Sequence, residues 1–139
     1  MPPPPPADHT AFRLHLLERP FKVLQLKPDQ KIPEDHLRLL TGVAAENGAF
    51  ISVTRTDEEV SVVLSSNEDD EAATWRCIKI AGPMDFGITG VMAKFTAPLK
   101  AAQIPVFAVS TWNTDYVLVP RDTATRAVEV LTQDGWQFD

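Results

Sequence analysis

The feature that most constrains this chain is that it repeats itself. Lys22-Val23-Leu24-Gln25-Leu26 resembles Arg76-Cys77-Ile78-Lys79-Ile80, and each short strand-like run leads into a proline-containing loop and a helical pattern. Paired strand-like runs follow: Phe50 to Thr54 with Val60 to Leu64 in the first half, Val106 to Ser110 with Tyr116 to Val119 in the second. Laying Phe50 on Val106 places Arg55-Thr56-Asp57-Glu58-Glu59 on Thr111-Trp112-Asn113-Thr114-Asp115. Each half therefore reads strand, helix, strand, strand. Such a unit buries one sheet face under its helix, which predicts an α+β chain of two tandem ferredoxin-like modules with antiparallel sheets and helices on one face. The expected boundaries are a disordered proline-rich tail over 1–11, a first module over 12–66, an acidic linker over 67–74 and a second module over 75–139.

The helical patterns differ in quality. The first is short, with Pro33 at its start, Glu34 and Asp35 complementing the positive end, and apolar Leu37, Leu39, Leu40 and Val43. In the second, Ile88, Val91, Met92, Phe95, Leu99 and Ala102 keep helical spacing, with Pro98 expected to kink it. A third is expected from about Asp122, as N-cap, to Leu131, with Gly135 just beyond its end. Asn67 to Glu71 reads as a solvated linker, and Pro2 to Pro6 as a polyproline II tail.

Composition excludes several function classes. Of the 139 residues 44% are apolar, enough to build a core. The formal net charge of -6 supplies no attraction for nucleic acid or an anionic membrane. No run approaches the roughly 20 apolar residues of a membrane span, and the N-terminus lacks the pattern of a secretory signal, so the cytoplasm is the expected location. Cys77, the single cysteine, sits among Trp75, Ile78 and Ile80 and reads as a small buried core residue. His9, His15 and His36 are scattered without metal-ligand spacing, and no nucleophile-elbow, Walker or dinucleotide-binding sequence occurs. Catalysis, a cofactor and a metal are accordingly not expected.

What remains is a recognition surface. Ser110-Thr111-Trp112-Asn113-Thr114-Asp115-Tyr116 brings hydroxyls, an amide, a carboxylate and a large aromatic to one hairpin tip. In a ferredoxin-like topology the first and third strands are neighbours, so this tip should meet the segment Gly82 to Ile88 that opens the second helix. Free N–H groups at that helix start favour a carboxylate, Gly87 lets a ligand approach the backbone, and Asp85 and Asp115 suit an ammonium group. A free amino acid, a zwitterion, matches the pair. Its carboxylate is expected on the N–H groups of Phe86, Gly87 and Ile88, its amino group near Asp115 or Asp85, and its side chain toward Thr111 and Trp112. Structural roles compete at each position. Asp85 also reads as a helix N-cap, Asn113 as a hairpin stabiliser through a local bond, and Trp112 as a hydrophobic plug.

At Gly82 to Gly90, Ala97-Pro98-Leu99 and Ile104 to Val119 the sequence resembles the tandem ACT-domain family, the branch of CASTOR-type cytosolic amino-acid sensors. The resemblance covers roughly residues 12 to 132. It implies a regulatory protein that binds an amino acid at a module interface without acting on it chemically, with Asp85 to Ile88 and Thr111 to Asp115 lining the site. Longer sensors of this kind carry two tandem units in one chain, so the resemblance implies a homodimer here and a regulated protein partner. The first module departs from the pattern. Its loop Pro28 to Pro33 has no glycine and its tip Arg55 to Glu59 is charged, so at most one working site per chain is expected. The competing expectation is a protein-interaction adaptor that keeps the fold and has lost the ligand.

Overall fold

The protein is represented by a computed structural model, described over residues 13–42, 49–80 and 90–139. In chain order its strands are β1 (Arg13–Leu16), β2 (Phe21–Leu26), β3 (Ile51–Arg55), β4 (Val60–Ser65), β5 (Trp75–Ile80), β6 (Phe107–Ser110), β7 (Asp115–Pro120) and β8 (Gln137–Phe138); its helices are α1 (Glu34–Thr41), α2 (Val91–Ala101) and α3 (Ala124–Gln133). Two compact units result. One is continuous, Arg19–Trp75, and the other is discontinuous, joining Met1–Glu18 to Arg76–Asp139.

In the continuous unit the strand order is β3-β4-β2, with both pairings antiparallel. Alternation along β4 puts Val60, Val62 and Leu64 on one face, where Leu24, Leu26, Ile32, Ile51 and Val53 pack against them. The Phe21 and Phe50 rings stack at a tilt, with centroids 5.2 Å apart. Helix α1 starts at Pro33 as expected, and Glu34 and Asp35 stand in its first turn. Its apolar side is not buried, however: Leu37, Leu39 and Leu40 are all exposed. Eight residues make barely two turns, too few to cover a three-stranded sheet. The acidic segment after β4 is solvated at Asn67, Glu68, Asp69 and Glu71 and anchored at Asp70. Asp70 accepts hydrogen bonds from the Ser66 hydroxyl at 2.5 Å and the Ala72 N–H, and pairs with Lys22 at 3.1 Å, while Ala73 is buried. Together these contacts hold the Asp70 carboxyl down to about 2.

In the discontinuous unit, β5 lies between β7 and β1, with β6 beyond β7 and β8 beyond β1. A ferredoxin-like sheet places its first strand between its third and fourth. Here β1 takes the fourth strand's place, antiparallel to β5 with Leu14 opposite Ile80, and β8 adds to it in parallel. The Leu17 N–H to Cys77 carbonyl bond and the Arg76 guanidinium on the Leu17 carbonyl extend that contact. Residues 13–18, expected in the first module, therefore belong with the second. Leu14 shows why: it is fully buried in a core with Ile78, Val117, Phe95, Leu131 and Trp136. Phe95 and Trp136 meet edge to face at 5.6 Å.

Both helices of this unit begin later than the sequence pattern suggests. Helix α2 starts after Gly90, whose φ of 82° only glycine adopts easily, and Val91, Phe95 and Leu99 form its buried stripe. It runs through Pro98 to Ala101. The free N–H groups of its first turn thus belong to Val91 and the residues after it. Helix α3 is entered through a 3-10 turn, Arg121–Thr123, so Asp122 is not its N-cap. Its end is closed as expected by Gly135 at φ 102°, with the Trp136 N–H bonded to the Leu131 carbonyl.

Candidate functional site

The relation expected between a hairpin tip and a helix-opening loop is visible in the continuous unit. Leu26, at the end of β2, pairs with Val60, at the start of β4. The loop leaving β2 and the tip of the β3–β4 hairpin are consequently neighbours. Arg55 spans them, its Nη1 donating to the Pro28 carbonyl at 2.5 Å and its Nη2 to the Gln30 carbonyl at 3.4 Å. Beside it Gln25 donates to Glu59 at 3.2 Å.

In the discontinuous unit β7, the second strand of the tip's hairpin, pairs with both β5 and β6. The tip is stapled by Thr111, whose N–H and hydroxyl both donate to the Thr114 carbonyl while the hydroxyl accepts from the Thr114 N–H. Thr111 is thus engaged in holding the turn. Trp112 and Asn113 project into solvent, Trp112 with 80% of its surface exposed, so it plugs no cavity. Asp115 is half-buried and accepts a 2.6 Å hydrogen bond from Ser110. Asp85, Phe86, Gly87 and Ile88 lie outside the described residues.

Strand pairing corrects the alignment of the two tips. Arg55 faces Val60 across residues 56–59, and Ser110 faces Asp115 across residues 111–114. The equivalent of Thr111 is therefore Thr56, one position from where matching Phe50 to Val106 puts it. Thr56 makes the same staple, bonding Glu59 through N–H and hydroxyl. In this register Val60, Val62 and Leu64 correspond to Asp115, Val117 and Val119, and Val117 and Val119 are buried core residues. Asp115 thus holds the first core-facing position of its strand, where the repeat has a fully buried valine. Ser110 corresponds to Arg55. The continuous unit provides a cation and an apolar residue at this corner; the discontinuous unit provides a hydroxyl and a carboxylate. Aligning the halves on their strand ends rather than on Phe50 reveals both exchanges.

Other features are less suited to chemistry. A groove of about 690 Å³ lies away from the tip, lined by Thr96, Lys100, Gln103, Ile104, Pro105 and Val106. Burial pushes the Cys77 thiol up to about 12, so it is neither a nucleophile nor a ready metal ligand. Burial also raises the Tyr116 phenol. Among the described residues no group of three His, Cys, Asp or Glu side chains could hold a metal ion, and no helix is long and apolar enough to cross a membrane.

Residues 71–133 match the ACT domain family. The chain thus carries an ACT domain over these residues, in a ferredoxin-like α+β fold. It is 42% identical over 108 residues to the cytosolic arginine sensor for mTORC1 subunit 1 of Bos taurus, a match covering 68% of this chain and 33% of that protein. The human protein of the same name is 41% identical over 58 residues, 41% of this chain and 18% of the relative. The matches thus span a third or less of these relatives. Among solved structures, a protein from Agobacterium tumefaciens superposes with a TM-score of 0.70 at 28% identity, covering 91% of both chains. The regulatory subunit of aspartate kinase from Thermus thermophilus shares the fold, with a TM-score of 0.57 at 15% identity over 86% of this chain and 95% of that one.

Proposed function

We propose that this protein is a non-enzymatic, amino-acid-binding regulatory module, with the ligand held between the segment Asp85 to Ile88 and the tip Thr111 to Asp115. The observation that carries the reading is Asp115, a carboxylate at a core-facing strand position where the repeat has buried Val60. Aspartate is disfavoured in strands, and its half-buried charge lowers the cost of docking an ammonium or guanidinium group. Trp112 and Asn113 project beside it as contacts for the rest of the ligand. Amino-acid sensing by the relatives named above makes arginine the first ligand to test. A second copy of the chain supplies a further ACT module against the site, so a cytoplasmic homodimer that passes occupancy to a protein partner completes the proposal. A coupling of about 1–3 kcal/mol between ligand and partner suffices for such a switch.

Calorimetry against the twenty amino acids tests it, arginine first. One of them should bind per discontinuous unit without turnover, and silence across the panel at millimolar concentration refutes the reading. The exposed Leu37, Leu39 and Leu40 of α1 favour the second reading, a protein-interaction adaptor that has lost its ligand. That reading predicts partner binding indifferent to every amino acid.

A further inference from the structure

We infer that Arg55 is a tethered occupant of the continuous unit: its guanidinium fills, from within the chain, the corner that corresponds to the ligand position of the discontinuous unit. Three observations converge on this. The first is register: Arg55 stands opposite Val60 as Ser110 stands opposite Asp115, so the two side chains leave equivalent points of the two hairpins. The second is reach. Arg55 crosses from the hairpin to the loop that opens α1 and donates to the carbonyls of Pro28 and Gln30, whereas the short Ser110 side chain donates within its own hairpin, to Asp115 2.6 Å away. The third is the receptor itself. The Gln30 N–H bonds to the Lys27 carbonyl and the Gln30 side chain accepts from the Lys27 N–H, so the turn 27–30 is closed on its own side. Closure leaves the Pro28 and Gln30 carbonyls for an outside donor, and a planar guanidinium with its fork of N–H groups suits two carbonyls at once.

The chemistry expected of a bound cation is thus supplied covalently in one half of the molecule and omitted from the other. The continuous unit has its occupant built in and does not respond to ligand, while Ser110, in the place of that arginine, is too short to supply an occupant of the same kind. The correspondence between the corners rests on the function proposed above; the occupancy of the two carbonyls by Arg55 does not.

The test is chemical rescue in the full chain, with methylguanidinium as the probe. Arg55→Ser should lower the thermal midpoint by about 3 °C, the scale of one lost charge-assisted contact in a chain of this size. Millimolar methylguanidinium should return at least half of that loss, leave the wild-type midpoint unmoved, and outperform methylammonium, which lacks the fork. An unchanged midpoint in Arg55→Ser, or an equal response of both proteins to methylguanidinium, overturns the inference. If Arg55→Ser does not fold, Arg55→Lys is measured in the same way: it keeps the charge and loses the fork, and should show a smaller loss with partial rescue, equal responses again counting against. Rescue in Arg55→Ser alongside a wild-type chain silent to every amino acid would refute the ligand reading and leave the tethered guanidinium standing.

Discussion

Asp115→Val makes the second hairpin start its strand as the first one does, and it separates folding from binding. Asp115 is half-buried at a position where Val60 is fully buried in the other unit. Valine there gains about 1 kcal/mol from partial burial of its side chain, and up to about 1 kcal/mol from its preference for strand geometry. Against this stands the lost hydrogen bond from Ser110, which in an exposed setting contributes about 1 kcal/mol. The balance lies between zero and about 1 kcal/mol in favour of the variant, a rise of up to about 4 °C in the thermal midpoint. Binding should move the other way. Removing a carboxylate that accepts from a charged ligand group costs about 1.5–3 kcal/mol, or about 10- to 150-fold in affinity. Differential scanning calorimetry and titration calorimetry on the same sample read both numbers. A lower midpoint would show that Asp115 is there for the fold; a raised midpoint with unchanged affinity would remove it from the site.

Further outcomes follow from the same contacts. Val60→Asp, the reverse exchange, buries an unpaired charge at a fully enclosed position and should cost more than about 3 kcal/mol by urea titration. Leu14→Ala should destabilise the discontinuous unit by about 2–5 kcal/mol, seen as earlier unfolding by Trp136 fluorescence; an effect within error would detach β1 from that core. Asp70 has its carboxyl depressed from 3.8 to about 2, so its contribution is fully present above the unfolded value and is lost as pH falls from about 4 through about 2. The stability gap between wild type and Asp70→Asn should accordingly be open at pH 6 and close toward pH 2; a gap independent of pH contradicts the assignment. The Cys77 thiol, buried and raised to about 12, should resist alkylation at pH 8 until the chain unfolds, and rapid labelling of native protein would show that the β5 core opens.

Much of the fold is legible because alternation and helical spacing are local signals. Strands β2 to β7 fall within a residue of their expected ends, and the buried stripe Val91, Phe95 and Leu99 is the one its spacing predicts. The misses are non-local. Strand β1 has too few residues to register as a pattern, and Leu14 is a core residue only because β5 lies beside it. Helix starts slip for a related reason: α3 opens with a 3-10 turn rather than at Asp122. Leu37 and Leu40 have core-like spacing, but α1 does not bury them. Of the candidate site, the composition of the tip is readable, yet the Thr111 staple and the exposure of Trp112 are not.

By itself the sequence determines that the chain is built twice from a strand, helix, strand, strand pattern and that the second hairpin tip is polar where the first is charged, because residue type and spacing carry that information along the chain. Only the tertiary structure decides the pairing register that matches Asp115 to Val60 and Ser110 to Arg55, and the membership of β1 in the discontinuous unit. The physical reason is the period of two in a strand: a shift of one residue in the pairing moves every side chain to the opposite face. Whether a carboxylate stands on the core-facing corner of a sheet or outside it is therefore settled by hydrogen bonds between strands.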